Sequence, residues 1–257
     1  MKIKLIGNRE NPAIVLIHGI FCNYESVMHF AEYLQNDYFL ILPTLDGHYP
    51  DSKDFTTAAK QARILTVAIE KTGIERIAMI HGTSVGAVVA LEMAKICPLP
   101  VDSYFFDSGL FFSLNAASKK IKYNKFIKFT DTSKGISADE FMHEKTVRKY
   151  CGDNPESYGY IIDSVINTIG FITENTVANI ADACYSCHLP NFDDEVTRKF
   201  MFNFSDGEPA HKCRKRLEKK YPLARFSGYS GSNYCGFQVN EPERYAHFLR
   251  GIIENAK

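Results

Sequence analysis

The sequence predicts an α/β fold: a mostly parallel sheet with helices on both faces and an inserted helical cap. Three observations carry this. Short apolar runs alternate with helix-length amphipathic stretches along most of the chain. One apolar run passes directly into Gly82-Thr83-Ser84-Val85-Gly86 and then a helix-like stretch. Between about Ser113 and Pro190 the alternation stops and the chain reads mainly helical.

The elements follow in order. Lys2 to Ile6 reads as a strand. Ala13-Ile14-Val15-Leu16-Ile17 is continuously apolar, as in a strand covered on both faces. His18-Gly19-Ile20-Phe21 then turns. Glu25 to Leu34 has Val27, Phe30, Ala31 and Leu34 spaced for one helical face. Tyr38 to Leu42 is the next strand, with Pro43 expected to end it and Asp46-Gly47-His48 in the loop beyond. Phe55 to Lys71 reads as a helix stopped near Gly73. Ile77 to Ile80 is a strand, Ala87 to Lys95 a helix, and Val101 to Phe106 a strand. In the helical stretch, Ser137-Ala138-Asp139-Glu140 fits a capping box, and Asn154-Pro155-Glu156 fits a second helix start. The sheet resumes at Lys199 to Phe204. Glu208 to Lys220 is helical, Ala224 to Phe226 is a short last strand, and Asn240 is the expected cap of the final helix. Residues 1–112 and 196–257 therefore read as the core, and 113–195 as the cap.

Composition narrows the function. Apolar residues make up 45% of 257 residues, enough for a sizeable core. Thirty basic and thirty acidic residues cancel, so overall charge gives no reason to expect nucleic acid or an anionic membrane. The basic cluster from His211 to Lys220 reads as the solvated face of a helix. No signal pattern and no membrane-length apolar run is present, and the seven scattered cysteines read as buried thiols, so a cytoplasmic protein is expected. Cys184-Tyr185-Ser186-Cys187-His188 fits a haem-attachment string, but that chemistry needs export, so the match is read as coincidence. Neither a metal nor a cofactor is expected, and oligomeric state leaves no trace in the sequence.

Strand, G-x-S-x-G and helix in that order make a nucleophile elbow. The serine hydroxyl stands above the sheet edge, and the next helix aims its first amides toward the same spot. In parallel sheets, ligands bind beyond the carboxyl ends of the strands. The turns at His18, Ser84, Asp206–Glu208 and the loop near 233 all follow strands and are expected to gather there.

These pieces, with Asp206-Gly207-Glu208-Pro209 and Glu241-Pro242-Glu243-Arg244-Tyr245, resemble the α/β-hydrolase superfamily of bacterial esterases, lipases and acylglycerol hydrolases. The resemblance covers the core and not the cap. It implies that Ser84 attacks an acyl carbonyl, and that the N–H groups of Val85 and Ile20 hold the oxyanion. It implies a supporting role for His18 and an acid just after the late strand. Glu208 fits the usual offset before Pro209, with Asp206 and Asp107 as alternatives.

One part is missing. The resemblance implies a histidine in the loop before the final helix, yet Gly228 to Asn240 contains none. Tyr234 stands there instead, before Cys235-Gly236. Imidazole is the group suited to taking the serine proton and returning it. Either His211 or His48 reaches the site, or Tyr234 or a water supports slow chemistry, or hydrolysis has been lost. Two functions follow. One is a serine hydrolase of small or acyl carboxylic esters, weak or atypical; the other is a non-catalytic small-molecule-binding protein on the same fold. Phe105, Phe106, Leu110, Phe111, Phe112, Phe126 and Phe129 form either an acyl-binding wall or ordinary core where cap meets sheet.

Overall fold

The computed structural model describes residues 1–151, 154–230 and 234–256. Strands β1 (Lys2–Ile6), β2 (Ala13–Ile17) and β3 (Phe39–Thr44) come first, with a short helix α1 (Met28–Ala31) after β2. Helix α2 (Ala58–Glu70), β4 (Ile77–Thr83), α3 (Val85–Ile96) and β5 (Val101–Asp107) follow. Helices α4 (Ala116–Ser133), α5 (Ala138–His143), α6 (Lys145–Cys151), α7 (Gly159–Ile169) and α8 (Glu174–Tyr185) intervene before the sheet resumes. The chain closes with α9 (Asp194–Arg198), β6 (Phe200–Ser205), α10 (Arg214–Lys220), β7 (Arg225–Tyr229), α11 (Gly236–Asn240) and α12 (Pro242–Glu254).

Among the described residues the sheet has seven strands in the order β1-β3-β2-β4-β5-β6-β7. Only β1 runs antiparallel to its neighbour. Residues alternate between the two faces of each strand. Val15 and Ile17 therefore join the apolar cluster containing α2 and α3, while Ile14 and Leu16 join the one containing α1 and α12. Burial on both faces explains why β2 reads as an unbroken apolar run. Among the described residues no helix is long and apolar enough to cross a membrane. All seven cysteines are free thiols, and all but Cys97 are buried.

Several boundaries differ from those the sequence predicts. Pro43 does not end β3, which continues to Thr44. The β2 ladder stops at Ile41, so the missing N–H of the proline costs nothing on that side, and Pro43 lies opposite Ile3 of β1. The helix expected from Glu25 is a 3₁₀ turn, Tyr24–Val27, leading into the single turn of α1. Glu208 likewise precedes a 3₁₀ turn, Pro209–Cys213, rather than an α-helix. The final helix is preceded by Glu241, not capped by Asn240, because Asn240 closes the separate helix α11. The capping box at Ser137 and Glu140 is present.

Candidate active site

Ser84 sits between β4 and α3 with φ 56° and ψ −114°. A non-glycine residue there is strained, at a cost of about 1–3 kcal/mol. The glycines on either side make the turn possible by absence of bulk. A Cβ at Gly82 would overlap the backbone of Gly86, and one at Gly86 would overlap the carbonyls of Ile17 and His18. The Ser84 N–H is tied to the carbonyl of Asp107 at 2.9 Å. Its hydroxyl is buried and, among the described residues, has no hydrogen-bond partner of regular geometry.

The turn after β2 lies against the Ser84 side chain. A Cβ on Gly19 would be 3.6 Å from the Cβ of Ser84 and 3.3 Å from the hydroxyl of Tyr234. Gly19, Ser84 and the Tyr234 phenol thus converge on one small volume. Val85 is the first residue of α3, so its N–H has no acceptor within the helix. Ile20 follows Gly19 in the adjoining turn. His18 braces that turn: Nδ1 donates to the Gly19 carbonyl at 2.7 Å, and Nε2 accepts the Leu45 N–H at 3.0 Å. Burial, then the neighbouring His48, pulls the His18 pKa down to about 3, so the ring is neutral.

Tyr234 is half-buried, with its phenol oxygen turned inward beside Ser84. Burial raises its pKa well above the ordinary phenol value. At neutral pH it is a hydrogen-bond donor and not a base. Its backbone is held by the inserted helices: the Tyr234 N–H donates to the Tyr150 carbonyl at 3.3 Å, and the Tyr158 hydroxyl donates to the Tyr234 carbonyl at 2.8 Å. The next residue, Cys235, is left-handed at φ 54°. Residues 231–233, in the loop where the sequence predicts a site turn, lie outside the described residues.

The two late carboxylates part company. Asp206 is exposed in its turn, whereas Glu208 is buried. Glu208 accepts the Ser205 N–H at 3.1 Å and the Cys235 N–H at 3.2 Å. Burial, followed by the charge of Asp107, raises its pKa to about 8. Asp107 is buried as well, and burial raises its pKa. It accepts hydrogen bonds from Tyr245 at 2.6 Å, Gln238 at 2.7 Å, Asn203 at 2.9 Å and Ser108 at 3.3 Å. His81 Nε2 donates to the Tyr245 hydroxyl at 2.7 Å, extending the chain.

Neither alternative histidine is bonded to Ser84 among the described residues. His48 donates from Nδ1 to the Asp46 carbonyl at 3.0 Å, packs edge-on against His18 at 5.1 Å, and is held neutral by burial, which lowers its pKa to about 4. His211 faces the Asp206 carbonyl at 3.4 Å and stacks on Phe204 at 6.3 Å. Asn203, Gln238 and Tyr245, which support a buried carboxylate, escape the sequence analysis. Asn203 alone leaves a signal, as the polar residue interrupting Phe200-Met201-Phe202-Asn203-Phe204. The aromatic residues are not one wall. Phe105 stacks on His81 on the α12 side, Phe106 stacks on Phe202 on the other, and Phe126 and Phe129 pack on Phe21.

A family model described as alpha/beta hydrolase fold matches residues 12–131, which span the Gly19 turn, the elbow and α3. The chain has the α/β-hydrolase fold. Solved structures of that fold align along nearly the whole chain. A carboxylesterase structure from the thaumarchaeon Nitrososphaera gargenis has a TM-score of 0.77 at 16% identity, covering 99% of this chain and 94% of the other. A thermophilic esterase from Thermogutta terrifontis gives 0.73 at 15%, covering 99% and 93%. An enol-lactonase from Burkholderia xenovorans LB400 gives 0.73 at 11%, covering 98% and 96%. No curated protein matches the chain by sequence. Within the α/β-hydrolase fold, Ser84 stands at the carboxyl end of a central strand, with β2 on one side and β5 on the other.

Proposed function

We propose that the chain is a serine hydrolase of small or acyl carboxylic esters that works slowly, through a Ser84 acyl-enzyme. The observation that carries this reading is the strained Ser84 turn, whose buried hydroxyl lacks a regular hydrogen bond and whose side chain packs near Gly19. Such strain persists only where the surroundings enforce it, and it clusters at reacting groups. Esterases and an enol-lactonase among the structural neighbours agree with an ester substrate.

In this reading Ser84 Oγ attacks the acyl carbonyl and the C–O bond forms. The Val85 and Ile20 amides take the developing oxyanion. The serine proton passes to water or directly to the leaving oxygen, because no imidazole among the described residues is bonded to Ser84. The tetrahedral intermediate then expels the alcohol, and water releases the acid from the acyl-enzyme. Tyr234, neutral and donating, steadies an oxygen without removing a proton. Glu208 supports the loop through the Cys235 amide. The helices of residues 113–195 act as the cap that excludes bulk water. Loss of a triad member costs orders of magnitude, while oxyanion stabilisation leaves residual catalysis.

A fluorophosphonate probe tests the reading directly. Stoichiometric, slow labelling that disappears in Ser84→Ala supports it; a folded protein that stays unlabelled on long exposure overturns it. That second result favours non-catalytic binding, for which one observation speaks: the Tyr234 hydroxyl crowds Gly19 beside a fully buried Ser84.

A further inference from the structure

The chain is neutral overall, yet its charge is not evenly spread. Over the 18 residues of α4, five lysines stand against one aspartate. Phe126 and Phe129 pack this helix inward, their rings 5.5 Å and 5.8 Å from that of Phe21. The opposite side is exposed and carries Lys120, Ile121, Asn124, Lys125 and Lys128 at helical spacing. Ile121, next to Lys120 in this stripe, is 58% exposed.

Among the described residues Lys119 has an acidic partner, Asp182, while Lys120, Lys122, Lys125 and Lys128 form no ion pair. Lys122 lies over the Tyr185 ring at 5.7 Å. Its ammonium is disfavoured first by burial and then by the like charges of Lys125 and Lys212. Lys212 comes from the turn after β6, so the fold joins two basic stretches far apart in sequence. Exposed like charges with no counter-charge set up a local positive potential that attracts an anionic surface.

We propose that the outer face of α4, with Lys212, is a peripheral docking surface for an anionic lipid bilayer. Four to eight basic residues clustered on one helix face attract the negative surface of a membrane. The protruding Ile121 adds one apolar contact to a mainly ionic attraction, a contact that binding to an acidic protein does not need. This docking does not depend on the chemistry assigned to Ser84.

Co-sedimentation of the full chain with vesicles tests it. At low salt the protein binds vesicles of phosphatidylcholine mixed with phosphatidylglycerol, ignores phosphatidylcholine alone, and is released by added salt. Each lysine near an anionic surface is worth roughly fivefold in affinity. The Lys120→Gln/Lys125→Gln/Lys128→Gln variant is therefore expected to bind about a hundredfold more weakly. Lys4→Gln/Lys60→Gln/Lys71→Gln, three exposed lysines elsewhere, should bind like the parent, and circular dichroism should show both variants folded. Ser84→Ala should bind like the parent, which separates this result from the fate of the hydrolase reading. Absence of binding to the anionic vesicles, or equal loss in both triple variants, overturns the proposal. So does a parent chain that ignores vesicles but binds soluble polyglutamate, which would assign the face to an acidic protein.

Discussion

At the residue scale, the proposed reaction turns on a phenol standing where that chemistry would want a base. The Tyr234 hydroxyl lies beside Ser84, and burial keeps it protonated. Its place in the loop is held through backbone groups, by Tyr150, Tyr158 and, one residue on, Glu208. Those bonds do not depend on the side chain at 234. Tyr234→His should therefore keep the loop in place and supply a group able to take the serine proton. The expected outcome is ester hydrolysis at least about tenfold faster, below the usual range of general-base effects, measured as turnover of an activated ester. No gain in a variant whose melting temperature is unchanged would sink the idea that the missing imidazole limits the rate. The turn at Ser84 was legible in the sequence because two glycines, a strand and a helix all bear on it. The offset before Pro209 favoured Glu208 over Asp206, but its burial was not legible, since both occupy one short turn and only the tertiary fold buries one of them.

The elements obey packing more closely than propensity. Gly86 sits in α3 because the helix starts hard against the end of β2. Gly86→Ala puts a methyl group into the carbonyls of Ile17 and His18, backbone that cannot move aside cheaply. We expect a loss of about 3 kcal/mol, read as a melting temperature lower by roughly 6–10 °C. An unchanged melting temperature would show that α3 slides on β2. Strands β2, β4 and β5 were legible as apolar runs because both faces are covered. Helix α11 was not, since its five residues are too few for a period to emerge and Cys235 enters it from a left-handed turn. Pro43 misled for a related reason: a proline ends a strand only where its missing N–H is needed.

At the scale of the whole molecule, burial of titratable groups sets the pH range of stability. His18 and His81 are pulled down to about 3, and His29 and His48 to about 4, in each case chiefly by burial. In the unfolded chain they take up protons near the ordinary 6.5, so the unfolded state binds more protons as pH falls below that value, and stability drops. Glu208 acts in the opposite sense. Its folded pKa of about 8 exceeds the unfolded 4.5, so its favourable contribution is complete in acid and is lost as pH rises toward 8. Asp107 shifts in the same direction. Four histidines outweigh these carboxylates below about 6.5, and above it the carboxylates alone remain. Urea midpoints should peak near about pH 6.5, fall steeply in acid and modestly toward pH 8, with Glu208→Gln flattening the alkaline decline. A flat profile from roughly pH 6.5 down to 4.5 would contradict this. The sheet order and its two covered faces were largely legible from the alternation of elements. Burial of His81 was legible from its place in the β4 run, but that of His29 and His48 was not, because those rings are enclosed by residues distant in sequence. The Tyr234 loop also belongs to this scale, being fastened on one flank by Glu208 of the core and on the other by Tyr150 and Tyr158 of the inserted segment. The insertion is accordingly no interchangeable module. Recombination that exchanged the segment between β5 and β6 for that of a distant relative would carry away two of these three moorings, so such a chimera is expected to loosen the loop that carries Tyr234.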